Sequence, residues 1–229
     1  MIEEAGRLLR VFVAPGEVFR EIREKPTWVL GFLLYWALAS GTAFLLVSRV
    51  DFAEVLEAQF AAQGRQAPAN LDQSVGMIRG CSTVGSVLAP PAVCLILALI
   101  FLSFRLFGGD FDYKRSLAIT VHGLMPRAAA ALASIPVILS RESFTAQEMK
   151  SASFLFSNLS FLAPGNAPAW LSVLLGSLDV FTVASVVLLG LGFSVAGKVP
   201  RSRAFLGVFG LWLFAVAVQV GLSALPGAR

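Results

Sequence analysis

Between residues 116 and 140 the chain runs for 25 positions with one charged side chain, Arg127, and one histidine, His122. Wound as an α-helix that stretch is about 37 Å long, enough to cross a hydrocarbon core of about 30 Å. A guanidinium near the middle of such a helix is too costly to leave among lipid tails. It must face protein, a polar cavity or a partner charge. The chain therefore has to build other helices around this one, with polar groups on their inner faces.

The rest of the sequence supplies them. Hydrophobic residues make up 57% of the 229 and charged residues only 14%, against about 25% charged in an average soluble domain. Apolar runs at 28–48, 83–107, 116–140, 170–197 and 204–225 predict five transmembrane helices. The expected fold is an all-α integral membrane protein with one membrane domain, 27–225, preceded by an amphipathic segment, 1–26. The run at 83–107 carries Pro90 and Pro91, which remove two backbone donors and predict a bend. Trp28 stands where an interfacial anchor belongs, Arg105 is placed to snorkel to headgroups, and Gly207 and Gly210 allow close helix contact.

Segment 1–26 lacks the uninterrupted apolar core and the cleavage pattern of a signal peptide. After Pro15, the residues Val18, Phe19 and Ile22 share one helical face and Glu17, Arg20, Glu21, Arg23 and Glu24 the other. That pattern predicts a short amphipathic helix, either lying on the membrane surface with those three residues as anchors or packed on the cytoplasmic ends of the bundle. Between the first two runs, Phe52, Val55, Leu56 and Phe60 predict an interfacial helix followed by a loop. Residues 151–165 are apolar but too few to cross, and predict an interfacial or re-entrant segment.

Basic residues set the orientation. With the N-terminus in the cytoplasm, eleven lysines and arginines fall in inside segments and six outside, which favours a cytoplasmic N-terminus and an external C-terminus. Their scatter at the ends of apolar runs is a topology signal and argues against nucleic acid as a partner. The expected partners are the lipid bilayer and other membrane proteins, in a homo- or hetero-oligomer.

No phosphate loop, HExxH or GxSxG motif is present, so no catalytic residue, metal site or cofactor is expected. Cys81 and Cys94 have neither CxxC nor metal-ligand spacing. Asp110 and Asp112 in GGDFDYKR offer two carboxylates, too few for a cation cage, and read as a solvated turn. The chemistry-bearing groups are His122, Arg127 and Asp179, an intramembrane polar site. His122 fits a structural hydrogen bond or a proton-accepting step. Counting rise per residue from the outer ends puts Arg127 and Asp179 within about 6 Å in depth, which predicts a direct ion pair, either a static clamp or the control of a substrate or proton site.

Pro15 followed by Phe19, the Pro26-x-Trp28 opening, the Gly108-Gly109 turn, Pro126, and the run Leu178-Asp179-Val180-Phe181 leading into a glycine-bearing span together resemble the Yip1 family of five-span membrane proteins. The likeness covers nearly the whole chain. It implies a non-enzymatic membrane protein; eukaryotic relatives act in vesicle traffic and associate with Rab GTPases and with each other. This chain lacks their long N-terminal region with its DLYGP-type motif, so Rab binding is not carried over. Its compactness resembles prokaryotic members and implies a prokaryotic plasma membrane. Two functions follow as expectations: a membrane-organising or protein-interaction scaffold, or a small transporter or proton-coupled permease using His122, Arg127 and Asp179.

Overall fold

The computed structural model describes residues 2–62, 64–66, 68, 70–144, 157–164 and 167–224. Helices dominate throughout, and the only β-pairing among the described residues is two isolated bridges. Among the described residues, four helical stretches are long and apolar enough to cross a membrane: Val29–Val47, Leu71–Phe107, Tyr113–Leu139 and Arg201–Ser223. The apolar helix Val180–Val195 is shorter, at 16 residues.

Two short helices come first. In α1 (Ile2–Arg10), Glu3 and Glu4 sit in the first turn and Arg7 and Arg10 in the last, the arrangement that complements the helix dipole. Pro15 opens α2 (Pro15–Glu24), where its missing N–H costs nothing. The membrane-surface role expected of α2 has to be corrected. Val18, Phe19 and Ile22 are fully buried in protein, packed against α6 (Tyr113–Gly123) and α9 (Val180–Val195). A Cβ added at Gly192 of α9 would lie 2.7 Å from the Phe19 ring, so the glycine is what lets that ring enter the core. An apolar helix face gains as much from a protein groove as from lipid, and here the groove exists. The large side chains left exposed near this end are Leu9, Phe12 and Val13.

Arg7 locks the two short helices to α3 (Val29–Val47). It is 3% exposed, donating from Nε to Glu21 Oε2 at 2.8 Å and from Nη1 to Thr27 Oγ1 at 3.0 Å, while Nη2 meets Glu3 at 3.1 Å. Arg10 also pairs with Glu21. Glu4 accepts the N–H of Leu30, one of the orphan donors at the start of α3.

After α4 (Phe52–Ala62), helix α5 (Leu71–Phe101) begins earlier than the hydropathy predicts and continues as a 3-10 turn, Leu102–Phe107. Residues 71–82 are thus helix where a loop is expected. The helix also runs through Pro90 and Pro91. Pro91 cannot donate to the carbonyl of Val87, and α3 supplies the replacement: Trp36 Nε1 and Ser40 Oγ each donate to that oxygen at 3.0 Å. A polar group freed by proline inside an apolar span is in this way satisfied by the neighbouring helix.

The Gly108-Gly109 turn is required by geometry. Gly108 has φ 93°, in the left-handed region, and a Cβ on Gly109 would meet the Phe111 ring at 2.6 Å and the Phe104 carbonyl at 3.0 Å. Asp112 then caps α6 by accepting the Arg115 N–H at 2.9 Å. Around the turn, Phe193 contacts the rings of Phe101, Phe104 and Phe111 at centroid distances of 4.8, 5.3 and 5.6 Å.

The run at 116–140 is two helices, α6 and α7 (Met125–Leu139), parted at Leu124 just before Pro126. The run at 170–197 is likewise split, into α8 (Ala169–Ser177) and α9, with the break at Leu178 and Asp179. The last helix, α10 (Arg201–Ser223), agrees closely with the run at 204–225. Its Gly207 faces Phe104, where a Cβ would come within 2.5 Å, whereas Gly210 meets nothing within 4 Å. Of the segment at 151–165, the described part holds a 3-10 turn, Leu159–Leu162; the expected re-entry falls mainly on residues outside the described ones.

Candidate functional site

Register between α6/α7 and α9 sets the site. A Cβ at Gly192 would touch Ile119, and one at Gly123 would touch Leu189 at 2.5 Å, so α9 descends as α6 rises. Continuing that antiparallel register brings Arg127, early in α7, to the level of the first turns of α9. Arg127 and Asp179 there line one cavity of about 250 Å³, together with Ser134, Asn158 and Thr182.

The direct Arg127–Asp179 ion pair expected from depth is not formed. Asp179 is committed to its own helix: Oδ2 accepts the Thr182 N–H at 2.8 Å and the Thr182 hydroxyl at 3.0 Å, an N-cap on α9. Its other oxygen, Oδ1, is buried without a hydrogen bond. The adjoining backbone is tied down as well, because Val180 donates to the Ser157 carbonyl at 3.0 Å beside the Asn158–Asp179 bridge. The carboxylate therefore stands where it does because a helix starting at mid-bundle needs an acceptor for its first N–H groups.

Arg127 is exposed, and its guanidinium makes no ion pair or hydrogen bond with any described residue. It also lines two further hollows. One, of about 500 Å³, lies between α3, α5 and α7, with walls that include Tyr35, Ala43, Val93 and Ile138. The other, of about 700 Å³, lies between α7, α8, α9 and α10 and reaches Trp212 and Gln219. Among the described residues, Arg127 thus stands without a partner where these hollows meet.

His122 is brought to a different place. It is fully buried, with Nδ1 2.8 Å from the Ala118 carbonyl, and it lines none of the three hollows. That contact assigns the proton to Nδ1, leaving Nε2 as a buried acceptor with no hydrogen bond among the described residues. Of the three expected site residues, then, two share a cavity and the third is a core residue of α6. Sequence reasoning missed Ser134, Asn158 and Thr182, which hydropathy cannot tell from the many other small polar residues of the spans. It also missed Arg7, whose signal was the Glu3–Arg7 spacing of four residues.

The model of the Yip1 domain matches residues 9–222 of the chain. The chain belongs to the Yip1 family. The match takes in α2 to α10 and every residue of the cavity at Arg127, so the Yip1 domain is essentially the whole described bundle. Among the positions that carry the family resemblance, Pro15 starts α2, Phe19 fills the core, Gly108 and Gly109 make the turn, Pro126 parts α6 from α7, and Asp179 caps α9. No curated protein and no solved structure matches this Yip1-family chain.

Proposed function

We propose that this Yip1-family membrane protein is a five-span, non-enzymatic scaffold of a prokaryotic plasma membrane, which organises other membrane proteins by associating with them and with copies of itself. The fifth span is α8 and α9 together. Alone, the 16 residues of α9 extend about 24 Å, short of the core thickness, and α8 stacked before the break at Asp179 makes up the difference. The eleven-to-six basic bias supports a cytoplasmic N-terminus and an external C-terminus. A reporter fused after Arg229 is then active only if it works outside the cytoplasm; a cytoplasmic C-terminus would mean an even number of spans.

The observation that carries the scaffold reading is the exposure of α10. Only 6% of its most apolar window is buried in the protein, against 50% for Tyr113–Leu139. Leu206, Phe209, Leu213, Phe214 and Leu222 all face outward, as do Gly210, Ala217 and Gly221. Small residues on a lipid-facing helix permit the close backbone approach on which helix association in membranes depends. A cysteine placed at Ala217 in a Cys81→Ser background, which leaves only the buried Cys94 beside it, tests this: oxidation in native membranes gives a cross-linked dimer. Failure to cross-link there and at Gly210 or Gly221 would refute association through α10.

A second reading, a transporter or proton-coupled permease, is favoured by one observation, the three hollows converging on Arg127. His122 lines none of these three, so the reading is supported by Arg127 and Asp179.

A further inference from the structure

We infer that the hollows meeting at Arg127 form a binding site for a single-chain amphiphile with a small oxyanion head, a carboxylate or a phosphate monoester. The inference stands apart from the scaffold reading, since a monomer could hold such a ligand and an oligomer could lack it.

Arg127 selects the head. A guanidinium cannot be deprotonated in a protein and carries five N–H donors in a planar fork that matches a carboxylate or phosphate two bonds at a time. None of those donors is used by a described residue. The Asp179 carboxylate in the same cavity keeps its charge but makes no ion pair with Arg127, its Oδ2 being held by Thr182. The hydroxyl of Ser134 is also spent, donating to the Ala131 carbonyl at 2.8 Å. What the cavity offers a ligand is therefore a guanidinium whose donors no described residue uses, and at this depth an oxyanion supplies the partner charge such a cation favours.

The head must also be small. Arg127 lies 14 residues beyond Tyr113 in the span Tyr113–Leu139, about 21 Å along the helix and near its middle. A glycerol-linked or sugar-bearing headgroup would drag many polar atoms to that level, each losing its hydration. A bare carboxylate or phosphate monoester brings only the atoms that Arg127 can bind, and a cavity of about 250 Å³ accommodates it.

The adjoining hollow takes the tail. Arg127 lines both that cavity and the space of about 500 Å³ between α3, α5 and α7, so a head on the guanidinium has an apolar channel beside it. Ala39, Ala43, Leu46, Val93 and Ile138 form much of the wall. Each methylene moved from water into such a space is worth about 0.8 kcal/mol, so chain length would govern affinity for ligand arriving from solution.

The test uses the full chain purified in an uncharged maltoside detergent, with the thermal unfolding midpoint read against added probe, each below its micelle concentration. Decanoate and decyl phosphate are expected to raise the midpoint with dose, while decanol, acetate and inorganic phosphate leave it unchanged. Arg127→Gln is expected to weaken the response about tenfold or more, as loss of a charged hydrogen-bond partner implies. Ala43→Phe, which fills the tail space, is expected to weaken it with Arg127 intact. Asp179→Asn keeps a capping oxygen, removes a like charge and is expected to tighten binding. Decanol equalling decanoate would overturn the head assignment. Acetate or inorganic phosphate equalling the ten-carbon probes would overturn the tail and leave a soluble-anion site. No response to any probe would overturn the site itself, and these wild-type comparisons decide the matter even if a variant does not fold.

Discussion

Replacing Phe19 with alanine asks whether the N-terminal helices belong to the bundle or rest on the bilayer. Phe19 is fully buried, with its ring against the position where Gly192 would carry a Cβ. Truncating a core phenylalanine to alanine costs about 3 to 5 kcal/mol, a large share of the roughly 5 to 15 kcal/mol that holds a typical protein folded. A ring lying in lipid would cost far less to remove, because no packed cavity would be left behind. Gly192→Ala sharpens the comparison: its new Cβ would crowd Phe19 and Ile119 at 2.7 Å each, with an overpacking cost of about 1 to 3 kcal/mol. In the double variant the Phe19 part of that clash disappears, so the two costs should fall short of additivity by about 0.5 kcal/mol or more. Reversible unfolding in mixed maltoside and dodecyl sulfate micelles measures all three variants. Strict additivity together with a Phe19→Ala cost below about 0.5 kcal/mol would refute the packing of α2 on α9.

Two further predictions come from the polar contacts. Removing both donors to the Val87 carbonyl, with Trp36→Phe and Ser40→Ala together, should cost about 1 to 3 kcal/mol for the orphaned oxygen; Pro91→Ala, which restores an N–H to the helix, should recover part of it in the same unfolding assay. The hydrogen bond from Arg10, with Arg7 beside it, holds the Glu21 carboxyl below its ordinary value of 4.5. Its folded-state value is the lower one, so the stabilisation is complete above 4.5 and is lost as pH falls through the depressed value. Acid titration of the unfolding midpoint should therefore show a steeper acid limb for wild type than for Glu21→Gln.

What was legible in the sequence was whatever depended on apolar length. The runs at 28–48, 116–140 and 204–225 correspond to Val29–Val47, Tyr113–Leu139 and Arg201–Ser223 within a few residues. What was not legible depended on which neighbour a residue finds. Val18, Phe19 and Ile22 form the same stripe whether they meet lipid or protein, and only the groove beside Gly192 decides. Pro90 and Pro91 predict a lost donor but not that Trp36 and Ser40 replace it. Asp179 reads as an intramembrane charge in a continuous span, yet an acidic residue just ahead of an apolar run is also an N-cap signal, and that reading explains the break it makes. Arg127 and Asp179 line one cavity, but the ion pair that depth predicts is absent, since Oδ2 of Asp179 is turned to its own helix as the cap on Thr182.

The scaffold account is tested most directly by extracting the full chain from its own membrane in native-lipid particles and weighing the particles by mass photometry, with mass spectrometry of what they contain. The account predicts particles holding two or more copies of the 229-residue chain, or one copy with recurrent protein partners. Particles that hold a single copy and no recurrent protein would contradict it.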